Sequence, residues 1–239
     1  MNDQKNGGSR LGNRLLSALT AEDRGSLAGA LEAIALKQGH VLYEPNEPIR
    51  YIYFPTDGVV SQTIVMRSGR MVETATVGNE GMLGLPVLLG AKAGRQRVVV
   101  QIPGNAVRIE ADVFRQAVER SPELRRLFQR FALTVLEQFA QSTACNQLHS
   151  AHQRMCRWLL QCHDRMEGDT FPLTQRFLAI MLGVRRATVT EIAGRLQNDG
   201  IIRYHRGVIT VLDRGRLETE SCECYVAVRS DLERLLDVR

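Results

Sequence analysis

A chain of 239 residues with 44% hydrophobic and 24% charged residues has room for one large domain or two modest ones, and excludes a disordered or fibrous protein. No run of about 18 apolar residues occurs, so no membrane helix is expected, and the first twenty residues lack the apolar core and cleavage site of a secretory signal. The formal charge of +5 is local: between Leu173 and Arg216, Arg176, Arg185, Arg186, Arg195, Arg203, Arg206, Arg214 and Arg216 stand against only Glu191, Asp199 and Asp213, the footprint of a polyanion-binding module.

In chain order, Leu11, Leu15, Leu16 and Leu19, then Leu27, Leu31 and Ile34, recur at helical spacing and predict short helices over 11–36. From Gly39 the texture becomes β-prone, with short runs at Tyr51–Phe54, Val59–Met66, Met71–Val77, Val98–Ile102 and Val107–Ile109. Turn formers separate them at Glu44–Pro48, Thr56–Gly58, Arg67–Arg70 and Pro103–Asn105. Closely spaced short strands argue for an antiparallel roll rather than a βαβ sheet. Ser121-Pro122-Glu123 then combines an N-cap, a first-turn proline and an acid, and no Gly or Pro follows until Gly168.

So long a breaker-free stretch is expected to divide near His149 into helices over 122–148 and 150–166. Leu124, Leu127, Phe128, Phe131, Val135 and Phe139 form one apolar stripe on the first, and a second copy of the chain is its expected partner, with packing on its own chain as the alternative. Met155, Trp158, Leu159 and Cys162 supply a separate small core on the second.

The segment Phe171–Leu212 carries the most specific pattern. Thr174 is placed to cap a short helix with Phe177, Leu178 and Met181 inward. Leu182-Gly183-Val184 makes a tight turn, and a second helix follows with Val189, Ile192, Ala193 and Leu196 beneath, ending at Gly200. Its outer face presents Arg185, Arg186, Thr188, Thr190, Glu191 and Arg195, the candidates for reading base edges in a major groove. Two short strands turning at Arg206-Gly207 form a basic hairpin, and Thr174, Gln175, Arg176, Arg203 and Arg206 are candidates for the phosphate backbone.

With these residues in place, the chain resembles the Crp/Fnr superfamily of bacterial transcription regulators over nearly its whole length. The segment from Phe171 to Asp213 is similar to that family's winged helix-turn-helix. Gly39–Ser61 and Gly78–Gly90 resemble its cyclic-nucleotide-binding roll, and helix 122–148 falls where its dimerisation helix lies. The resemblance implies an α+β fold with a jelly-roll sensor over 1–120, a dimerisation helix over 121–149, and a winged helix-turn-helix with a C-terminal tail over 150–239. It implies that Arg186 reads guanine. Ala187 and Glu191 replace the glutamate and arginine of the cyclic-AMP-responsive members, so a different half-site is expected.

In the roll, the resemblance places an effector pocket at Gly81, Met82, Leu83, Gly84 and Leu85, with Arg97 or Arg95 as the cation. Met82 stands where a ribose-binding glutamate would be and cannot accept that hydrogen bond. Val98 replaces a small polar residue, and the loop 86–96 is lengthened. Cyclic AMP is therefore not the expected effector, and another small molecule or none stays open.

All five cysteines lie at or beyond Cys145, so the N-terminal iron–sulfur ligation of oxygen-sensing members is not expected, nor is a disulfide framework; a reducing cytoplasm is. Cys222 and Cys224 form a spaced thiol pair, weak as a redox or metal site by itself, and His149, His152 and Cys156 fall at spacings that could share a helix face at a hinge. No haem ligand is indicated at His40, and no nucleophile elbow, Walker loop or metalloprotease pattern occurs, so no enzyme is expected. The expected partners are double-stranded DNA, a second copy of the chain and RNA polymerase. Two alternatives remain: an effector-independent regulator whose roll is a scaffold, and a small-molecule-binding module with weak non-specific DNA affinity.

Overall fold

The computed structural model describes residues 12–237; Leu11 lies outside them. The chain opens with α1 (Arg14–Ser17), where the Asn13 side chain accepts from the Leu16 N–H, and α2 (Ala21–Ala28), capped in the same way by Thr20. The helical expectation then fails. Glu32–Leu36 is a strand, β1, and Ile34 lies within it, because each of its residues finds a cross-strand partner between Gly104 and Arg108. A short apolar spacing does not distinguish helix from strand, and tertiary pairing decides.

The roll continues through β2 (Val41–Tyr43), β3 (Tyr51–Pro55), β4 (Val59–Val65), β5 (Met71–Val77), the short α3 (Leu85–Leu88), β6 (Arg97–Ile102) and β7 (Gly104–Glu110). It consists of two antiparallel sheets, ordered β1-β7-β3 and β2-β6-β4-β5. The predicted runs fall on these strands. A helix that the sequence pattern did not reveal, α4 (Ala111–Arg120), leads into α5 (Pro122–Leu148), which Ser121 caps through the Leu124 N–H. At 27 residues, α5 is about 40 Å long.

The stripe on α5 faces its own roll. Leu124, Phe128, Phe131 and Val135 are at most 5% exposed in the single chain, and Phe139 packs partly against the same core. Phe128 lies 4.9 Å from Phe114 and 6.2 Å from Phe54, centroid to centroid, in a three-ring cluster whose tilted and edge-on geometry suits aromatic quadrupoles. These residues are therefore not the surface for a second copy. The undetected α4 supplies Phe114 and is part of what covers them. The face left open carries Gln129, Leu133, Leu136, Ala140, Thr143 and Gln147, alternating by four and three positions, with Leu133 57% and Leu136 54% exposed.

The helical run breaks where expected, at His149. Ser150 begins α6 (Ala151–His163) with a reciprocal capping box to Gln153. Then come β8 (Thr170–Pro172), α7 (Gln175–Leu182), α8 (Arg186–Asn198), β9 (Ile202–His205), β10 (Val208–Val211), α9 (Arg214–Thr219) and α10 (Cys224–Asp237). The expected C-terminal tail is thus two helices. The second returns to pack on α5 and α6, and the Arg130 guanidinium donates to its last-turn carbonyls at Arg234 and Leu235. No helix among the described residues is long and apolar enough to cross a membrane.

Candidate nucleic-acid interface

Helices α7 and α8 are joined by a tight turn in which Gly183 takes the left-handed conformation and the Val184 N–H reaches back to the Ala179 carbonyl. Beneath α8, Val189, Ile192, Ala193 and Leu196 are buried on a core that includes Trp158, Leu178 and Met181. Burial of this side leaves the opposite one in solvent. Arg185, Arg186, Thr190, Glu191 and Arg195 are exposed, and Thr188 is half-buried at the same end.

Gln175, at the start of α7, braces this face. Its side-chain oxygen accepts from Arg186 Nε at 3.2 Å and from Thr190 Oγ1 at 3.1 Å. Thr174 caps α7 through the Phe177 N–H. Beside α8, β8-β10-β9 form a small antiparallel sheet. Its hairpin turns on Arg206 and Gly207, both at positive φ, the two-residue connection whose second position glycine fills without strain.

The basic residues divide into two groups. Arg176, Arg185, Arg186, Arg195, Arg203 and Arg206 are exposed and have no ion-pair partner among the described residues. Arg214, counted with them in the sequence, is spent internally on Asp164, Glu218, His163 and Tyr225, whereas Arg216 stays exposed with no ion-pair partner among the described residues and donates to the Asp199 carbonyl. A polyanion therefore meets the first group.

The roll pocket is different. Tyr43, Gln62, Met82, Leu83, Gly84 and Val98 line a cavity of about 20 Å³, space for about one water. Two N–H groups of the expected backbone nest are already used, Gly81 by the Gly78 carbonyl and Leu83 by Tyr53. Arg97 is ion-paired to Glu44 at 3.3 Å, and neither it nor the exposed Arg95 lines the cavity. The expected cation is thus turned away from the pocket, because alternation along β6 directs Val98 inward beside it.

A cleft of about 270 Å³ lies where the roll meets α6 and α10, lined by Arg14, Asn79, Gln161, Arg165, Tyr225 and Arg229, among others. At its edge Arg165 and Glu80 form a buried pair at 2.7 Å, with Arg165 also donating to Thr76. Burial drives the Glu80 carboxyl upward, but the Arg165 charge and the hydrogen bonds from Arg165 and the Gly78 N–H outweigh it and hold it below the usual carboxylate range. Gly78 makes the approach possible, since a Cβ there would sit 2.4 Å from Arg165 Cδ.

A second polar link crosses the same junction. Glu73 of β5 accepts from Trp158 Nε1 of α6 at 2.9 Å and from Ser61 at 2.6 Å, and burial pushes its carboxyl up to about 7 against those hydrogen bonds. Nothing in the local sequence marked Arg165, Glu80 or Glu73, whose partners are 85 positions away.

The histidines and cysteines also regroup. His149, His152 and Cys156 do not share a face: His152 pairs with Glu220, and Cys156 is buried in the core, its thiol pushed up to about 12 by burial. Instead Cys145 and His149, at the end of α5, meet Cys222 and Cys224 before and at the start of α10, and the four candidate ligand atoms lie within 4.8 Å of one another. The signal in the sequence was the Cys145/His149 spacing of four combined with Cys222-x-Cys224, but nothing local joins the two.

Residues 153–220 match the model of a Crp-like helix-turn-helix domain, and residues 33–121 that of a cyclic nucleotide-binding domain. The chain is 26% identical to a global nitrogen regulator from Nostoc sp. (strain PCC 7120), over 73% of this chain and 82% of that one. It is 25% identical to another from Synechococcus elongatus, over 84% and 94%. Among solved structures, FixK2 from Bradyrhizobium japonicum superposes with a TM-score of 0.69 at 18% identity, over 80% of this chain and 98% of that one. A CRP-family transcriptional regulator from Thermus thermophilus gives 0.66 at 19%, over 79% and 96%.

Proposed function

We propose that this chain, which belongs to the Crp/Fnr superfamily of DNA-binding transcription regulators, binds a pseudo-palindromic operator as a homodimer, with the roll adjusting its affinity. The observation that carries this reading is the face of α8: exposed arginines and hydroxyls over a fully buried apolar underside, flanked by a basic hairpin. In this reading Arg186 forks onto guanine, with Arg185, Thr188, Thr190, Glu191 and Arg195 as further base contacts. Thr174, Arg176, Arg203 and Arg206 hold phosphates, and Gln175 presets Arg186 and Thr190 for the groove.

Two such helices must reach successive major grooves about 34 Å apart. The open face of α5 supports the pairing. Gln129, Leu133, Leu136, Ala140, Thr143 and Gln147 keep the heptad spacing of a two-helix seam, with two half-exposed leucines at its centre. The regulator would act in the cytoplasm, and recruitment of RNA polymerase is the output we favour over its exclusion.

Control would pass through the junction of roll and DNA-binding module, where Glu80–Arg165 and Glu73–Trp158 join the two. The cavity of about 20 Å³ in the roll argues against a nucleotide there and favours a second reading, in which the roll is an effector-independent scaffold. Fluorescence anisotropy of the purified protein on a selected palindrome and on scrambled DNA, at fixed near-physiological salt, tests both. Strong preference, unchanged by cyclic AMP, is expected. Preference only with cyclic AMP would overturn the assignment of the roll, and no preference in either condition would sink operator binding.

A further inference from the structure

We propose that Cys145, His149, Cys222 and Cys224 bind one zinc ion in tetrahedral Cys3His coordination, tying the end of α5 to the start of α10. The three sulfurs are buried, and the His149 side chain is 15% exposed. Cys145 Sγ lies 3.6 Å from Cys222 Sγ, and Cys224 Sγ lies 3.6 Å from His149 Nδ1. Zn–S bonds of about 2.3 Å and Zn–N bonds of about 2.0–2.1 Å in a tetrahedron require edges of about 3.8 and 3.6 Å, so both spacings are already near those of a loaded site.

The surroundings are those of a metal centre. With Nδ1 turned to the sulfurs, His149 Nε2 is 3.1 Å from the Glu223 carboxylate, the partner that fixes the tautomer of a metal-bound histidine. Gln141 Nε2 donates to Cys224 Sγ at 2.9 Å, which stabilises a thiolate. Three thiolates and a divalent ion leave one negative charge. Arg157 acts electrostatically on Cys145 and Cys222, and the buried Nε atoms of Arg154 and Arg157 have no hydrogen-bond partner among the described residues.

Burial of the ligands and a complete set of four match a structural rather than a catalytic zinc site. Zinc binding would displace the three thiol protons to solvent with no change of oxidation state. All four ligand atoms lie within 4.8 Å of one another, too close to span an iron–sulfur core. A Cys145–Cys222 disulfide would have to close 3.6 Å to about 2.05 Å and would leave His149 and Cys224 without a role. The site sits on the hinge, since His149 is the C-cap of α5 and Ser150 begins α6. The ion would therefore fix the angle at which the long helix enters the last domain.

The full chain, reduced and stripped with a chelator, is titrated with Co2+ and then Zn2+. One Co2+ per chain is expected, with the intense visible bands of a tetrahedral ion and a thiolate charge-transfer band, both removed by one equivalent of Zn2+. Cys222→Ser should lose the charge-transfer intensity and most of the affinity, and Cys156→Ala, outside the four-residue cluster, should keep both. Because Glu223 is 78% exposed, Glu223→Gln should fold normally and loosen zinc about 10- to 100-fold against a competing chelator. A reduced wild-type chain that takes up no Co2+, or a Cys222→Ser chain with an unchanged spectrum, would overturn the site. So would reconstitution with iron and sulfide that yields a cluster on these cysteines. Unaltered affinity in Glu223→Gln would overturn the Nδ1 ligation of His149.

Discussion

The roll interior and the outer face of α8 both carry residue types of a ligand site, and they differ in how those residues are already engaged. Inside the roll, Met82 and Val98 fill the space, Arg97 is held by Glu44, and the N–H groups of Gly81 and Leu83 are bonded to backbone carbonyls. On α8, the arginines and Thr190 stand in solvent, and Gln175 orients Arg186 and Thr190 without neutralising any charge. A glycine-rich turn with an arginine nearby is a site only if its polar groups are left unspent. The same contrast separates buried Arg165, committed to Glu80, from exposed Arg186.

The sharpest way to break that contrast is to remove the buried arginine and, separately, an exposed one of the α8 face. Arg165→Met should lower unfolding stability by about 3–5 kcal/mol, because it strands the Glu80 carboxylate in a buried position. Arg185→Ala should stay within about 0.5 kcal/mol of wild type. Comparable losses in thermal unfolding for the two variants would mean that the junction is not the fixed element inferred here.

Glu73 sharpens the contrast through pH. Its carboxyl is raised from 4.5 to about 7 in the folded chain, so between those values the folded state binds more protons than the unfolded one. Its contribution is fully present below about 4.5 and is lost as pH rises towards about 7, to a limit of about 3 kcal/mol. Glu73→Gln should flatten that part of the stability–pH curve, and an unchanged slope in denaturant titrations at pH 5 and 8 would refute the assignment.

Smaller effects belong to the open face. Arg186→Ala should cost about 1–3 kcal/mol on the preferred operator and much less on an operator altered at the guanine it reads. An equal loss on both would reassign Arg186 to the backbone. Arg206→Ala, at the tip of the hairpin, should weaken all sequences alike and reduce the slope of log affinity against log salt by about 1.

The candidate interface was legible in the sequence because its determinants are local. The three- and four-residue spacing of Val189, Ile192, Ala193 and Leu196 decides which side of α8 is buried, and Arg206-Gly207 decides where the hairpin turns. The phenylalanine stripe on α5 was equally legible as apolar, but not what it touches. The weaker heptad of Leu133, Leu136 and Ala140 on the opposite side is the one left open. Missing α4 hid the cover for that stripe, and the strand pairing of Ile34 could not be told from a helical repeat.

By itself, then, the sequence determined the pattern of strands in the roll, the long helix with its break at His149, and the basic helix-turn-helix with its hairpin, since periodicity and capping act over a few residues. Only the tertiary structure decided which face of α5 is covered, that the roll pocket is filled, and that Arg165 meets Glu80. It alone joined Cys145 and His149 to a thiol pair more than seventy positions away. Those outcomes depend on which surfaces compete for the same contact, and residues distant in the chain settle that competition only when packed together.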